Sequence, residues 1–171
     1  MTGILPDMMN MAITTMNVAI TTTKMAVATD AMVATDAMAT TYTMATTGTL
    51  TTAALALFFL GMGMYGLAAP AALVRPFGIG LGGAAARTEV RAVYGGFGVA
   101  MAALLGWAAV DPADALRRGA VLAVAVALLG MAGGRLAARI AEPPGSWYPS
   151  WFYFWVELVG GGLLLATVTM T

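Results

Sequence analysis

The sequence predicts an all-α integral membrane protein, an antiparallel four-helix bundle with a disordered N-terminal tail. Three observations carry this prediction. Of the 171 residues, 60% are apolar and only 9% charged, whereas a soluble domain carries charge on about a quarter of its residues. From residue 50 onward, apolar runs of about 20 residues recur, the length that crosses roughly 30 Å of hydrocarbon as a helix. Backbone polar groups in lipid have to be satisfied inside their own segment, and helices do this.

A composition break near Gly48 separates residues 1–47 from the transmembrane domain, residues 48–171. The first segment is built almost wholly from Met, Thr, Ala, Val and Asp, and Val-Ala-Thr-Asp-Ala-Met occurs twice in tandem, at 27–32 and 33–38. Low complexity, frequent threonine and no run apolar enough for a bilayer predict a mostly disordered tail. It has no basic start like that of a secretory signal, since its only lysine is Lys24. Nine methionines fall in the first 44 residues, Met8, Met9 and Met11 among them, and thioethers are soft enough for Cu(I). The plainer reading is a translated codon repeat, or a tail that belongs to a start-site assignment upstream of Met44.

The first helix is expected at 50–69, closed by Pro70. The loop Gly78-Ile79-Gly80-Leu81-Gly82-Gly83 matches G-x-G-x-x-G, but it follows a membrane helix and no acid stands about 20 residues on to take a ribose. It reads as a connector. The second helix is expected at 90–110. Asp111-Pro112-Ala113-Asp114 then supplies an N-cap, a proline in the first turn and an acid near the helix start, so the third helix is placed at 112–140, ending before Glu142-Pro143-Pro144-Gly145. The fourth is placed at 150–170, its entrance crowded by Trp147, Tyr148, Trp151, Tyr153 and Trp155, amphipathic rings that favour the headgroup layer. Glycines recur where helices should touch, at Gly61, Gly63, Gly66, Gly95, Gly96, Gly98, Gly130, Gly134 and Gly160 to Gly162. Gly130 and Gly134 form a small-xxx-small pair, suited first to packing within the bundle and second to a homodimer seam.

With no histidine and no cysteine, the common zinc, haem, iron–sulfur and thiol sites lack their ligands. No metal, cofactor or catalytic residue is assigned. Eight basic and eight acidic residues cancel, without a basic run, which argues against a nucleic-acid partner.

The few charges carry the functional information. In an up-down-up-down bundle, Glu89, Arg91, Arg135, Arg139 and Glu157 share one membrane face. Glu157 lies about 9 Å beyond Trp151 and Arg135 about 7 Å before Ile140, both below the interface. Charges at that depth face the bundle interior and one another unless hydrated. The expected cluster is Glu89, Arg91, Tyr94, Arg135 and Glu157, with Glu157 bridging Arg91 and Arg135 and Tyr94 as a neighbouring hydroxyl. Two readings compete: arginines that snorkel while Glu157 sets helix register, or a slightly cationic pocket for an anionic or polar ligand or for protons.

At these residues the chain resembles a bacterial family of domains of unknown function, number four-three-four-five, small four-helix membrane proteins distantly like the DoxX group. The resemblance rests on Gly63-Met64-Tyr65-Gly66-Leu67 with Pro70, on Thr88-Glu89-Val90-Arg91-Ala92-Val93-Tyr94-Gly95-Gly96, on Gly134-Arg135 and on Glu157-Leu158. It covers about 50–170 and leaves out the tail. It implies the fold and the grouping of Glu89, Arg91, Tyr94, Arg135 and Glu157, without an activity. The repetitive tail and the aromatic-rich entrance to the fourth helix depart from the family pattern.

The function expected first is a non-enzymatic structural or accessory membrane subunit, surrounded by membrane lipids and packing against a membrane-protein partner or a second copy. The alternative is a small carrier, or a lipid-, quinone- or anion-binding protein built on the Arg/Glu cluster. Arg75, Arg87, Arg91, Arg135 and Arg139 against Lys24, Arg117 and Arg118 favour termini outside the cytoplasm. Seven arginines against one lysine, with abundant Ala and Gly, fit a high-GC bacterial source and its cytoplasmic membrane.

Overall fold

A computed structural model describes residues 4–142 and 147–169. The expected stop at Pro143-Pro144-Gly145 and the expected helix end at Met170 lie outside these residues. Among the described residues every regular element is helical, and four stretches are long and apolar enough to cross a membrane: Pro6–Ala68, Ala84–Ala109, Ala115–Ala141 and Ser150–Thr169. The chain divides into two units, Met1–Thr43 and Met44–Thr171.

In the first unit the structure departs from the expected disorder. The backbone is helical from Ile4, as part of α1 (Ile4–Ala68). Two physical reasons account for it. No glycine or proline occurs between Asp7 and Thr47, and alanine and methionine are strong helix formers. The threonines, read from sequence as helix-weakening, turn their hydroxyls onto the carbonyl four residues back: Thr14 to Asn10 at 2.9 Å, Thr29 to Met25 at 2.9 Å and Thr40 to Asp36 at 2.8 Å. That bond is one a helical threonine can make, sharing a carbonyl that already accepts the helical N–H, so the hydroxyl is satisfied without leaving the helix. The methionines here are exposed, Met8, Met9 and Met11 included.

In the second unit α1 ends at Ala68 as expected, because Pro70 has no N–H to continue the ladder. Ala69 leaves helical geometry at φ −133°, and Pro70 opens a short helix, α2 (Pro70–Val74). A 3₁₀ turn over Arg75–Phe77 follows, closed by Gly78 at φ 71°, a left-handed conformation that favours glycine. The residues to Gly83 form the expected connector. The next helix begins at Ala84, not near 90: α3 (Ala84–Val90) runs through a π turn over Arg91–Gly96 into α4 (Phe97–Ala109). The expectation placed the start at the apolar boundary, but Ala84-Ala85-Ala86 are strong helix formers and extend it through Arg87 and Glu89.

A second correction concerns α5 (Ala115–Ala141). Its N-cap is Asp114, whose Oδ1 accepts the Arg117 N–H at 2.9 Å. Asp111, expected to cap it, accepts from Ala113 N–H at 3.3 Å and closes the preceding turn. Proline cannot donate there, so the cap moves to the next acid. The last helix, α6 (Ser150–Thr169), begins where expected.

The core draws on four helices: Ala56 of α1, Leu105 and Ala108 of α4, Val121, Val124, Ala125 and Leu128 of α5, and Leu164 of α6. Small side chains let backbones approach. At Gly63 a Cβ would lie 2.6 Å from the Val99 nitrogen, and at Gly66 2.9 Å from the Gly95 nitrogen. The first helix therefore crosses the Arg91–Gly96 turn and the start of α4 backbone to backbone.

Candidate functional site

One buried charge anchors the site. Glu157 sits about two turns into α6, with its side chain 5% exposed. Arg135, on α5, meets it in a two-pronged pair: Nε donates to Oε2 and Nη2 to Oε1, each at 2.8 Å. This planar fork is the strongest form of a carboxylate–guanidinium contact. Such a pair offsets its own desolvation only when well aligned, and its rupture strands a buried charge.

The aromatic ring of Tyr153 lies beside the ion pair. It is four residues before Glu157, hence on the same face of α6, and the Arg135 Cζ lies 5.4 Å from its centroid. Phe77, from the turn before the connector, stacks beside it at 5.4 Å. One turn further along α5, Arg139 lies over Trp151 at 4.9 Å. Each arginine thus lies against an aromatic face, an attraction that strengthens as water is excluded. Tyr65, Tyr94 and Tyr148 are within electrostatic range of the Tyr153 hydroxyl.

The expected five-residue cluster is therefore only partly assembled. Arg135 and Glu157 pair as anticipated. Tyr94 is near, half exposed. Arg91 does not bridge to Glu157: its Nε donates to the Leu67 carbonyl at 2.9 Å. The reason is local. Leu67 is next to last in α1, where carbonyls lose their helical donors, and a cation at a helix C-terminus also meets the negative end of the dipole. Glu89 is exposed on α3, and among the described residues the only salt bridge is Arg135 to Glu157. The π turn that carries Arg91, Tyr94 and Gly95 is the type of one-residue insertion that recurs at functional sites.

By sequence Tyr153 belongs with the interfacial aromatics, yet its ring packs against the Arg135 guanidinium. Its signal was the four-residue spacing to Glu157. Tyr65, inside the Gly63-Met64-Tyr65-Gly66 motif, was likewise seen as part of a motif and not as a hydroxyl.

No curated protein and no solved structure matches the chain, so the likeness to the DoxX group has no finding behind it. A family does match. The region from 48 to 168, which contains the glycine crossing, the π turn and the Arg135–Glu157 pair but not the repetitive tail, fits the family model of a domain of unknown function, DUF4345, and the chain belongs to that family.

Proposed function

We propose that the chain is a multi-pass protein of the bacterial cytoplasmic membrane, an antiparallel four-helix bundle with a non-enzymatic structural or accessory role, packing through the outer face of α5 against a partner helix. One observation carries the reading: the buried carboxylate is already spent on Arg135 while the glycine face of α5 is not spent on anything. Arg135 engages both oxygens of Glu157, and the large cleft in this unit is lined by residues that do not include Glu157. A carrier would need a water-accessible route to that carboxylate. By contrast, a Cβ at Gly130, Gly133 or Gly134 would meet nothing within 4 Å. Helices associate in lipid by close backbone packing, which small residues permit. The glycines of the Gly63–Gly98 crossing are used inside the unit, and those of α5 are open.

Affinity purification from native membranes in mild detergent, with crosslinking, tests this. Wild-type chain is expected to bring down a defined membrane protein or a second copy of itself, and Gly130→Ile/Gly134→Ile to lose it at unchanged melting temperature. Equal recovery by both would sink the reading.

A further inference from the structure

The second unit contains a cleft of about 400 Å³. Its walls are apolar, with Leu55 and Phe58 from α1, Leu128 from α5, and Val159, Gly160 and Leu163 from α6. Phe58, Val159 and Leu163 are exposed at its rim, so it opens sideways from the helices. Gly160 deepens it beyond what packing demands. A Cβ there would meet Leu128 and Leu55 side chains at 3.6 Å, ordinary contact, whereas at the neighbouring Gly161 it would meet Leu129 Cγ at 2.8 Å.

Both walls lead to polar groups. Tyr65 stands seven residues after Phe58 on α1, and Tyr153 seven before Gly160 on α6, so each shares the helix face that lines the cleft. Tyr153 carries the Arg135 guanidinium 5.4 Å from its ring centroid and is in electrostatic range of Tyr65. A guanidinium has five N–H donors. Two engage Glu157, and the side chain, 27% exposed, keeps three for an outside acceptor. From Tyr153 to Leu163 the track is ten residues long, about 15 Å of helix. That is about half of the roughly 30 Å hydrocarbon core, the depth of one leaflet. A head region that offers guanidinium N–H donors and hydroxyls, above an apolar slot one leaflet deep, is complementary in hydrogen bonding and length to a phospholipid.

We propose that this track holds one membrane phospholipid, an acyl chain lying in the cleft over Gly160 and its phosphate accepting from the outward donors of Arg135 and the hydroxyls of Tyr65 and Tyr153. The proposal rests on the membrane reading above. A free phosphate would lack the chain contacts, and a diacylglycerol would lack the anion.

The full chain, stripped of lipid in detergent, is titrated with phosphatidylglycerol, with diacylglycerol and with inorganic phosphate, and retained molecules are counted by native mass spectrometry. Phosphatidylglycerol is retained by the wild type, diacylglycerol about tenfold less for each charge-assisted hydrogen bond it lacks, and inorganic phosphate not at all. Gly160→Leu fills the slot from its floor and Val159→Trp from its exposed rim; both lose the retained phospholipid at unchanged helicity. Tyr65→Phe/Tyr153→Phe brings phosphatidylglycerol down toward the diacylglycerol level. Equal phospholipid retention by wild type and Val159→Trp, or equal retention of phospholipid and diacylglycerol by the wild type, overturns the proposal. Fractionation separates the two ideas. A chain found in the soluble fraction sinks the membrane reading, and a membrane-bound chain without selective retention sinks only the lipid site.

Discussion

Replacing Gly63 by alanine adds one methyl group at the tightest point of the fold. The new Cβ would sit 2.6 Å from the Val99 nitrogen and 3.0 Å from both the Gly95 oxygen and the Gly98 carbonyl carbon. All three are backbone atoms, so no side-chain rotation relieves the contact. Restoring a van der Waals separation of about 3.5 Å requires the two helices to part by about 1 Å. Overpacking of this kind costs about 1–3 kcal/mol. The same parting stretches the Arg91–Leu67 bond, now 2.9 Å, beyond hydrogen-bonding distance, at a further cost of about 1 kcal/mol. The expected loss is about 3 kcal/mol. Gly61 is the internal control: it lies two residues away on the same helix, and a Cβ there meets nothing within 4 Å. Gly61→Ala should be neutral or stabilising by up to about 1 kcal/mol through helix propensity. Reversible unfolding in mixed micelles, followed by circular dichroism, compares them. If Gly63→Ala unfolds within about 0.5 kcal/mol of Gly61→Ala, the backbone-contact argument is refuted.

Two further expectations concern other elements. Arg135→Ala leaves the buried Glu157 carboxylate unpaired and should destabilise by about 3 kcal/mol, whereas the double replacement Arg135→Leu/Glu157→Leu recovers most of that loss, because it removes both desolvation costs; unfolding free energies around the cycle check this, and a double variant as unstable as the single one contradicts it. Asp114→Ala removes the N-cap of α5 and should cost about 1 kcal/mol, against a few tenths for Asp111→Ala; the relative sizes of the two losses, measured by the same unfolding, show which acid caps the helix.

Much of the fold is legible in local sequence because the determining forces are local. A run of 20 apolar residues and a proline without an N–H act over a few neighbours, so the ends at Ala68 and Ser150 were readable. Where two local rules competed, the reading failed. Threonine frequency argued against helix in residues 1–47, but its hydroxyls satisfy i−4 carbonyls and no breaker intervenes. The apolar boundary put the second helix's start near 90, but Ala84-Ala85-Ala86 begin it six residues earlier as α3. Asp111 reads as the cap with Asp114 inside the first turn, but Asp114 is the residue that caps α5, while Asp111 closes the turn before it.

The candidate site divides the same way. Sequence alone showed that a carboxylate as deep as Glu157 needs an arginine, with Arg91 and Arg135 both offered, since deep charges in so apolar a chain have few alternatives. It also marked glycines on all four spans as places of close approach, which holds for Gly63, Gly66, Gly95, Gly98 and Gly161 but not for Gly61, Gly130, Gly134 and Gly162, where a Cβ would meet nothing within 4 Å. Only the tertiary structure decided which arginine took the carboxylate. Arg91 and Arg135 are equivalent as residue types, but α1 breaks within reach of Arg91 and offers it the Leu67 carbonyl, leaving Glu157 to Arg135. The cleft over Gly160 was likewise invisible, because a void is a property of how three helices diverge and not of any one of them. Composition and periodicity set what each segment must bury or satisfy; the choice among equivalent partners depends on distances that exist only once the helices have packed.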